Sequence, residues 1–392
     1  MWPLDPGGSS VRRTICPPGR PPQGKDAEGD RLPPVRTGQL AARVCGVTLV
    51  AAVALASIVA GCSSSSSPEE PVNGLQYVEP EQVGWSSQKL ASAMQLAQQG
   101  GYAAVMAAVD GNVFLSWGEV SRNLKVHSIR KPFLGALYGI HVERGEINLE
   151  ETLAQLGIND SPSGLSPDEQ QAVVRELLQS RSGVYHPAAA EDPIMEAERP
   201  PRGSHPHGTF YYYNNWDFNV AGTVFRQTTG LDIFEAFKNE IGDPIGMQDF
   251  SPAGCQYQYE YDKSIHPAYA FWMSARDMLR FGVLYQRDGL WLGKQIVPPR
   301  WIAESTTSYS TVDSAFGVGY GYMWMTVPSG SAAEELFGSS GFFHTGIGVH
   351  LIVVLPPLHL VIVLRLDTEG AWTDPGDELQ MQLVLSIANA RI

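Results

Sequence analysis

Two continuous apolar runs near the C-terminus, GVHLIVVL and HLVIVLRL, flank the dipeptide Pro356-Pro357. Runs rich in Val, Ile and Leu that are separated by a turn signal predict a β-hairpin. A second hairpin is predicted near the other end of the chain, where YAAVMAAVDGNVFLSWGE turns at Asp110-Gly111. Because strands from both ends can join one antiparallel sheet, the long segment between them is interpreted as an insertion.

Helical patterns dominate outside the two hairpins. Helices are predicted at residues 86–99, 128–144, 168–180, 216–229, 231–240, 274–287 and 376–390, with a long Pro- and Gly-rich loop at 183–210. The predicted fold class is therefore α/β (α+β), an antiparallel sheet flanked by helices with an all-helical lobe inserted at about residues 128–300. The crevice between two such lobes is a favoured place for a site.

Charge and cysteine usage exclude several kinds of partner. The formal net charge is −14, whereas a protein that binds nucleic acid needs a basic stripe to neutralise phosphates. No group of Cys and His residues has the spacing of a zinc site, and the nearest candidate, His205-Pro-His207, is typical of a solvated loop. We therefore expect no nucleic-acid partner, no metal and no cofactor.

The first 61 residues differ in composition from the rest of the chain. Residues 1–34 are rich in Pro, Gly and Arg, which predicts a disordered or untranslated leader and a true start at Val35. Residues 35–61 combine a positive flank with a short apolar stretch, as a signal peptide does. They run into Val59-Ala60-Gly61-Cys62, which resembles a bacterial lipobox. This resemblance implies that Cys62 is lipidated and anchors an exported protein to the outer face of a bacterial membrane.

The remaining chain is predicted to contain a polar tether at 62–80 and a folded unit at 81–392. If Cys62 carries lipid, Cys255 has no partner, and no disulfide is expected in the folded unit. The alternative for the apolar stretch is a plain transmembrane anchor, in which case Cys62 is incidental.

The segment KVHSIRKPFLGALYGIHVERG combines a buried helical face with polar residues on its leading turn. Pro132 fits only in the first turn of a helix, which places the start near Ser128, where serine is a favoured cap. Lys131 lies three residues further on the same face, so it is predicted to point at the Ser128 hydroxyl. A lysine that loses hydration in a crevice has a lowered pKa and can activate a serine nucleophile.

The pair alone is weak evidence, because Ser86 and Lys89 have the same spacing. The alternative for either pair is a capped helix with an exposed lysine. Two further motifs favour a site: Tyr213-Asn214-Asn215 precedes a predicted helix, and His344-Thr345-Gly346 leads into a predicted strand. Ser-x-x-Lys, Tyr-x-Asn and Lys/His-x-Gly in this order resemble the penicillin-recognising serine hydrolases. That family includes class C β-lactamases, D-Ala-D-Ala carboxypeptidases, esterases and 6-aminohexanoate-dimer hydrolase.

The resemblance extends over about residues 78–390, including the stretch SARDMLRFG, and implies a β-lactamase/transpeptidase-like fold. It also implies that Ser128 attacks a carbonyl carbon and is acylated, while Lys131 helps to take its proton. Tyr213 is the implied second member of the proton relay, although a motif one residue earlier, at Tyr212, also fits. Asn215 is implied to orient the substrate and Lys131.

The third motif is implied to bind the substrate along a strand edge. His344, Thr345 and Gly346 are the matching residues, and the backbone N–H groups of Ser128 and Ile347 are the implied oxyanion hole. The β-lactamases of the family usually carry lysine where this chain has His344. A histidine with a pKa of ~6.5 is mostly neutral at pH 7 and attracts a carboxylate weakly. We therefore expect a gain for anionic substrates as the pH falls towards 6.

The expected function is a serine hydrolase that acts through an acyl-enzyme on a small-molecule ester or amide. The alternatives are a true β-lactamase or D-Ala-D-Ala carboxypeptidase, and a sensor or scaffold that is acylated without turnover. An α/β-hydrolase is disfavoured because no Gly-x-Ser-x-Gly elbow occurs in the sequence.

Lipidation at Cys62 is testable directly. We expect the cellular protein to partition into detergent, and Cys62→Ser to release it or to stall its processing, because lipid chains supply the anchoring. Detergent partition followed by N-terminal mass analysis measures this. A mature protein that retains residues before Val44 would contradict the prediction.

Overall fold

The computed structural model describes residues 74–392. The predicted leader at 1–34, the signal peptide at 35–61 and Cys62 lie outside the described residues. The tether predicted at 62–80 lies partly within them, and there the prediction is wrong. Gln76 and Tyr77 form a short strand that pairs in parallel with residues 112 and 113. Leu75, which directly precedes this strand, is buried. The folded unit therefore includes residues that were predicted to belong to the tether.

The described chain alternates short strands and helices. The strands are β1 (Gln76–Tyr77), β2 (Tyr102–Val109), β3 (Asn112–Gly118), β4 (Leu124–Lys125), β5 (Gln256–Glu260), β6 (Ser264–Ala270), β7 (Trp272–Met273), β8 (Leu290–Trp291), β9 (Lys294–Gln295), β10 (Ser310–Asp313), β11 (Val318–Tyr320), β12 (Met325–Val327), β13 (Gly341–Gly346), β14 (His350–Leu355) and β15 (Leu360–Leu366). The helices are α1 (Ser87–Gln99), α2 (Arg130–Glu143), α3 (Val174–Leu178), α4 (Pro193–Glu198), α5 (Asn215–Thr229), α6 (Ile233–Phe237), α7 (Ala275–Gln286), α8 (Pro299–Ser305), α9 (Ala332–Phe337) and α10 (Asp377–Ala388).

Nine strands form one sheet in the order β1-β3-β2-β15-β14-β13-β12-β11-β10. Neighbouring strands pair antiparallel, except for β1 and β3. The two predicted hairpins, β2–β3 and β14–β15, are joined because β15 pairs with β2. Strands from the two ends of the chain therefore meet at the centre of one sheet, which confirms the predicted fold class.

Helices cover both faces of the sheet centre. Side chains of β15 alternate between two cores, so Val361 and Val363 lie on the α7 side, and Ile362 and Leu364 lie on the side of α1 and α10. Gly282 lets α7 approach β15 closely, because a Cβ there would lie 2.5 Å from Cγ1 of Val361. Burial on both faces explains why these strands read as unbroken apolar runs.

The inserted lobe is mainly helical, but the all-helical prediction is wrong in one place. Strands β5 and β6 form an antiparallel hairpin within it. Tyr259 and Ile265 of this hairpin are exposed, so no continuous apolar run marked its strands in the sequence. Helix α7 also departs from the predicted 128–300 lobe, since it packs on the large sheet.

Most predicted helices are present, with two differences. The helix predicted at 168–180 is reduced to a 3₁₀ turn, Glu169–Gln171, and the short α3. The loop predicted at 183–210 contains α4, which begins where Asp192 accepts hydrogen bonds from the amides of Ile194 and Met195. Across residues 74–392, none of the helices has the length and hydrophobicity that a bilayer span requires.

Candidate active site

Ser128 lies in a 3₁₀ turn, His127–Ile129, that runs directly into α2. The expectation that its side chain caps the helix is wrong, because neither the turn nor α2 has a side-chain cap. The Ser128 hydroxyl instead accepts a hydrogen bond from Nζ of Lys131 at 2.9 Å. His127 has a φ of 50°, an unusual value for a residue other than glycine, and it directly precedes the serine.

The Lys131 side chain is completely buried. Its Nζ lies between the Ser128 hydroxyl and the Tyr213 hydroxyl, 2.5 Å from the latter, and over the rings of Tyr213 and Phe218. Burial, and next the charge of Arg130, lower the pKa of Lys131 well below its ordinary value. A neutral amine at this position can accept the proton of the serine.

The structure distinguishes the two candidate tyrosines. Tyr213 contacts Lys131, whereas the hydroxyl of Tyr212 donates to the carbonyl of Met195 at 2.5 Å. Tyr213 therefore occupies the position implied by the Tyr-x-Asn motif. Burial is the main cause that raises the pKa of Tyr213, while a hydrogen bond with Ser128 and the charge of Arg130 oppose it.

Asn215 does not contact Lys131 in the way that the resemblance implies. Its Nδ2 donates to the carbonyl of Ala190 at 2.6 Å, and its Oδ1 is buried without a hydrogen-bond partner. The preceding Asn214 caps α5 by accepting from the amide of Trp216. Asn215 thus joins α5 to the 183–210 segment, and its predicted role towards the substrate stays a prediction.

His344 lies on β13 behind the lysine, with its ring centre 6.3 Å from that of Tyr213. It is completely buried, and its Nδ1 is 2.8 Å from the carbonyl oxygen of Thr345. Burial, and next the charge of Lys131, lower the pKa of His344 to about 3. The expectation that this histidine titrates near pH 6.5 is therefore wrong, and it is neutral at pH 6 as well as at pH 8.

Gly346 lets β13 approach the turn that carries Ser128. A Cβ at this position would lie 2.6 Å from the carbonyl oxygen of Val126 and 3.2 Å from Cβ of His127. Any side chain here would push the strand and the turn apart. The next residue, Ile347, lines the cavity and is 43% exposed.

Arg365 anchors the chain that precedes Ser128. It is completely buried on β15 and donates to the carbonyls of Leu124 and Lys125 at 2.7 and 3.1 Å, and to Nδ1 of His350 at 3.1 Å. Burial lowers the pKa of Arg365 to about 9. The centre of the sheet is thereby tied to β4, which leads into the Ser128 turn.

A cavity of about 770 Å³ opens in front of Ser128. Among the residues lining it are Ser128, Tyr213, Thr345, Gly346 and Ile347, with aromatic side chains from the 209–213 segment and from Tyr309. Lys131, Asn215 and His344 do not line it. The predicted nucleophile and the strand edge therefore face one cavity, and the buried lysine and histidine lie behind its wall.

The wall of this cavity is acidic. Four of the lining residues carry carboxylates, namely Asp192, Glu198, Asp374 and Asp377. Among the described residues of the lining, the only basic one is Arg181, whose guanidinium donates to the carbonyls of Tyr309 and Gly208. This wall was not predicted from the sequence, where the Asp-Pro pair that begins α4 is the one local signal of part of it.

The second Ser-x-x-Lys match, Ser86 to Lys89, stabilises the chain ends of the fold and is not part of the cavity. Ser86 caps α1 by accepting from the amide of Lys89, and Nζ of Lys89 donates to the carbonyl of Arg391 at 2.7 Å. Of the two histidines weighed as metal ligands, His207 pairs with Glu176 and His205 stacks on Phe210. In residues 74–392 no group of three or more His, Cys, Asp and Glu side chains could hold a metal ion.

Comparisons with known proteins show the family and the fold. The Beta-lactamase family model matches residues 91–385. Among solved structures, the octameric penicillin-binding protein homologue from Pyrococcus abyssi superposes with a TM-score of 0.56 at 18% identity, covering 75% of each chain. The D-stereospecific amidohydrolase from Streptomyces sp. superposes with a TM-score of 0.56 at 18% identity, and the match covers 76% of this chain and 97% of that chain.

EstCE1, a hydrolase with promiscuous acyltransferase activity, gives a TM-score of 0.55 at 15% identity, covering 76% of this chain and 98% of that one. At these identities the structures establish a shared fold. A search of curated protein sequences finds no match to the chain.

The close approach at Gly346 generates a prediction. Gly346→Ala should slow acylation of Ser128 by about 10- to 100-fold, because small displacements of a reacting geometry have effects of this size. The rate of labelling by a serine-directed phosphonate measures it. Gly254→Ala is the matched control, since a Cβ there meets nothing within 4 Å. Equal labelling rates in the two variants would contradict the role given to Gly346.

Proposed function

The chain belongs to the β-lactamase family, and from this premise we propose that it hydrolyses an ester or small amide through an acyl-enzyme on Ser128. Members of this family are serine hydrolases that act through an acyl-enzyme. The observation that carries the proposal is the position of the Lys131 amine, buried between the hydroxyls of Ser128 and Tyr213.

Acylation begins when the proton of the Ser128 hydroxyl passes to the neutral amine of Lys131. The Ser128 oxygen then forms a bond to the substrate carbonyl carbon, and the carbonyl oxygen becomes an oxyanion. The backbone N–H groups of Ser128 and Ile347 are the donors proposed to stabilise it. When the carbon–oxygen or carbon–nitrogen bond of the substrate breaks, the proton returns to the leaving group through Lys131 and Tyr213.

Deacylation repeats these steps with water. Tyr213 and Lys131 take a proton from the water, whose oxygen attacks the acyl carbon, and the Ser128 oxygen leaves with a proton. All three side chains are in hydrogen-bond contact before a substrate is present, so the proton has a continuous path.

Two electrostatic features support an ester or small amide over a β-lactam drug. The carboxylate of such a drug would meet an acidic cavity wall, and the neutral His344 buried behind that wall supplies no positive charge to offset it. Arg130 lies outside the lining, and Arg181, which donates to backbone carbonyls, is one cation against four carboxylates in the wall. A neutral or cationic substrate avoids this repulsion.

The alternatives give different results. A β-lactamase or a D-Ala-D-Ala carboxypeptidase would turn over its anionic substrates faster than esters, and a sensor or scaffold would stay acylated. We also propose that the protein acts outside the cell, held to a bacterial membrane by lipid on Cys62, which lies outside the described residues.

The first test concerns the nucleophile. Ser128→Ala should abolish covalent labelling by a phosphonate probe, because no other serine hydroxyl contacts a buried lysine amine in the part of the chain that the structure describes. Ser86→Ala should still label, since Ser86 caps a helix. Intact-mass spectrometry reads both results, and labelling that persists in the Ser128 variant would overturn the assignment.

The second test concerns the substrate. We expect kcat/KM for a short acyl ester to exceed that for a cephalosporin by about tenfold or more, the factor that a difference of 1.4 kcal/mol gives. The ratio of anionic to neutral ester turnover should not rise between pH 8 and pH 6, because His344 stays neutral over that range. Preferred turnover of the cephalosporin would favour the β-lactamase alternative.

A further inference from the structure

Arg130 is a buried cation on the same helical turn as the proposed base. It directly precedes Lys131 and is 5% exposed. Its guanidinium donates to Oδ1 of Asn219 at 2.8 Å, and its Cζ lies 4.2 Å from the centre of the Tyr269 ring. Nη1 of Arg130 is buried without a hydrogen-bond partner. An amide and an aromatic ring orient this guanidinium without neutralising its charge.

Neither Arg130 nor Lys131 pairs with a carboxylate. Within residues 74–392, no carboxylate oxygen lies within 4.0 Å of either side-chain nitrogen. The charge of Asp192 raises the pKa of Lys131 from a greater distance. The Oδ1 atom of Asp192 accepts hydrogen bonds from the amides of Ile194 and Met195. This arrangement is unusual, because buried charges in proteins are normally paired.

The other polar groups around the two cations are neutral. Ser128, Tyr213 and His344 face Lys131, and burial keeps the pKa of that histidine at about 3. Tyr269 and Tyr213 face Arg130, and burial raises the pKa of both hydroxyls above the ordinary value.

Two adjacent charges of one sign that lack a counter-ion favour the loss of one proton. Arginine holds its proton more strongly than lysine does, because its charge is delocalised over the guanidinium. The proton is therefore lost from Lys131. Burial is the larger cause of the lowered pKa of Lys131, the charge of Arg130 adds to it, and the charge of Asp192 opposes both.

We propose that Arg130 is a positioning residue that keeps Lys131 in its neutral, proton-accepting form. The inference rests on the proposed function, since it concerns the base that activates Ser128. It adds a residue that touches neither the substrate nor the serine and that acts through its charge alone. The geometry of Lys131 needs no help from this charge, because its two hydroxyl contacts are direct.

The test is the pH profile of Ser128 labelling by a phosphonate probe, measured from pH 5 to pH 10 on the folded protein. Labelling requires neutral Lys131, so the rate falls on the acid side. Arg130→Met should move the acid side of this profile, its acid limb, to higher pH by about one unit, which lowers the rate about tenfold at pH values below the pKa of Lys131 and leaves the plateau rate at higher pH nearly unchanged. Arg130→Gln, which can still donate to Asn219, should give the same shift if Arg130→Met fails to fold.

Arg280→Met is the matched control, because Arg280 is another buried arginine, on α7, and it lies 3.8 Å from Asp277. It should reduce thermal stability without moving the acid limb. Asn219→Ala removes the hydrogen-bond partner of Arg130 but leaves the charge, so the limb should stay close to that of the unchanged protein.

Other outcomes are decisive in different ways. An equal loss of labelling at every pH in Arg130→Met and Arg130→Gln would show a structural role only and overturn the inference. The same limb shift in Arg280→Met would also overturn it. Absence of Ser128 labelling in the unchanged protein at any pH would instead overturn the proposed function.

Discussion

The candidate site depends on burying the Lys131 amine where it has two hydroxyl contacts and no carboxylate. Burial makes the charged amine unfavourable, and the hydroxyls give the neutral amine partners. The two hydroxyls come from the turn before α2 and from the chain before α5, so the packing of these helices sets both distances. Tyr138 of α2 donates to the carbonyl of Ala221 of α5 at 2.7 Å, which joins the two helices in the core.

The sheet supplies the other half of the site by approaching the Ser128 turn at two points. Arg365 at the sheet centre holds the carbonyls of residues 124 and 125, and Gly346 lets β13 lie against Val126. Sites built on such elements are held more accurately than sites built on loops. The strand edge and the proposed nucleophile therefore keep a fixed relation, although they lie far apart in the sequence.

The sequence predicted the parts that depend on local spacing. The hairpin β14–β15 and the contact between Lys131 and Ser128 follow from strand and helix periodicity, which is a local property. It could not predict the neutral state of His344, because that state comes from burial beside Lys131 in the folded chain. The contact of Asn215 with Ala190 and the acidic cavity wall likewise depend on where the 183–210 segment folds back.

The histidine at position 344 is consistent with the presence of Arg130. A lysine there would add a second buried cation to that of Arg130, beside the neutral amine of Lys131, and within residues 74–392 no carboxylate pairs with Arg130 or Lys131. Asp192 does not contact Lys131. A carboxylate in contact with the amine would raise its pKa and so favour the protonated form. The acidic side chains line the cavity, whereas the permanent positive charge of Arg130 lies behind the cavity wall. This separation leaves the amine neutral while the cavity remains unfavourable for a carboxylate.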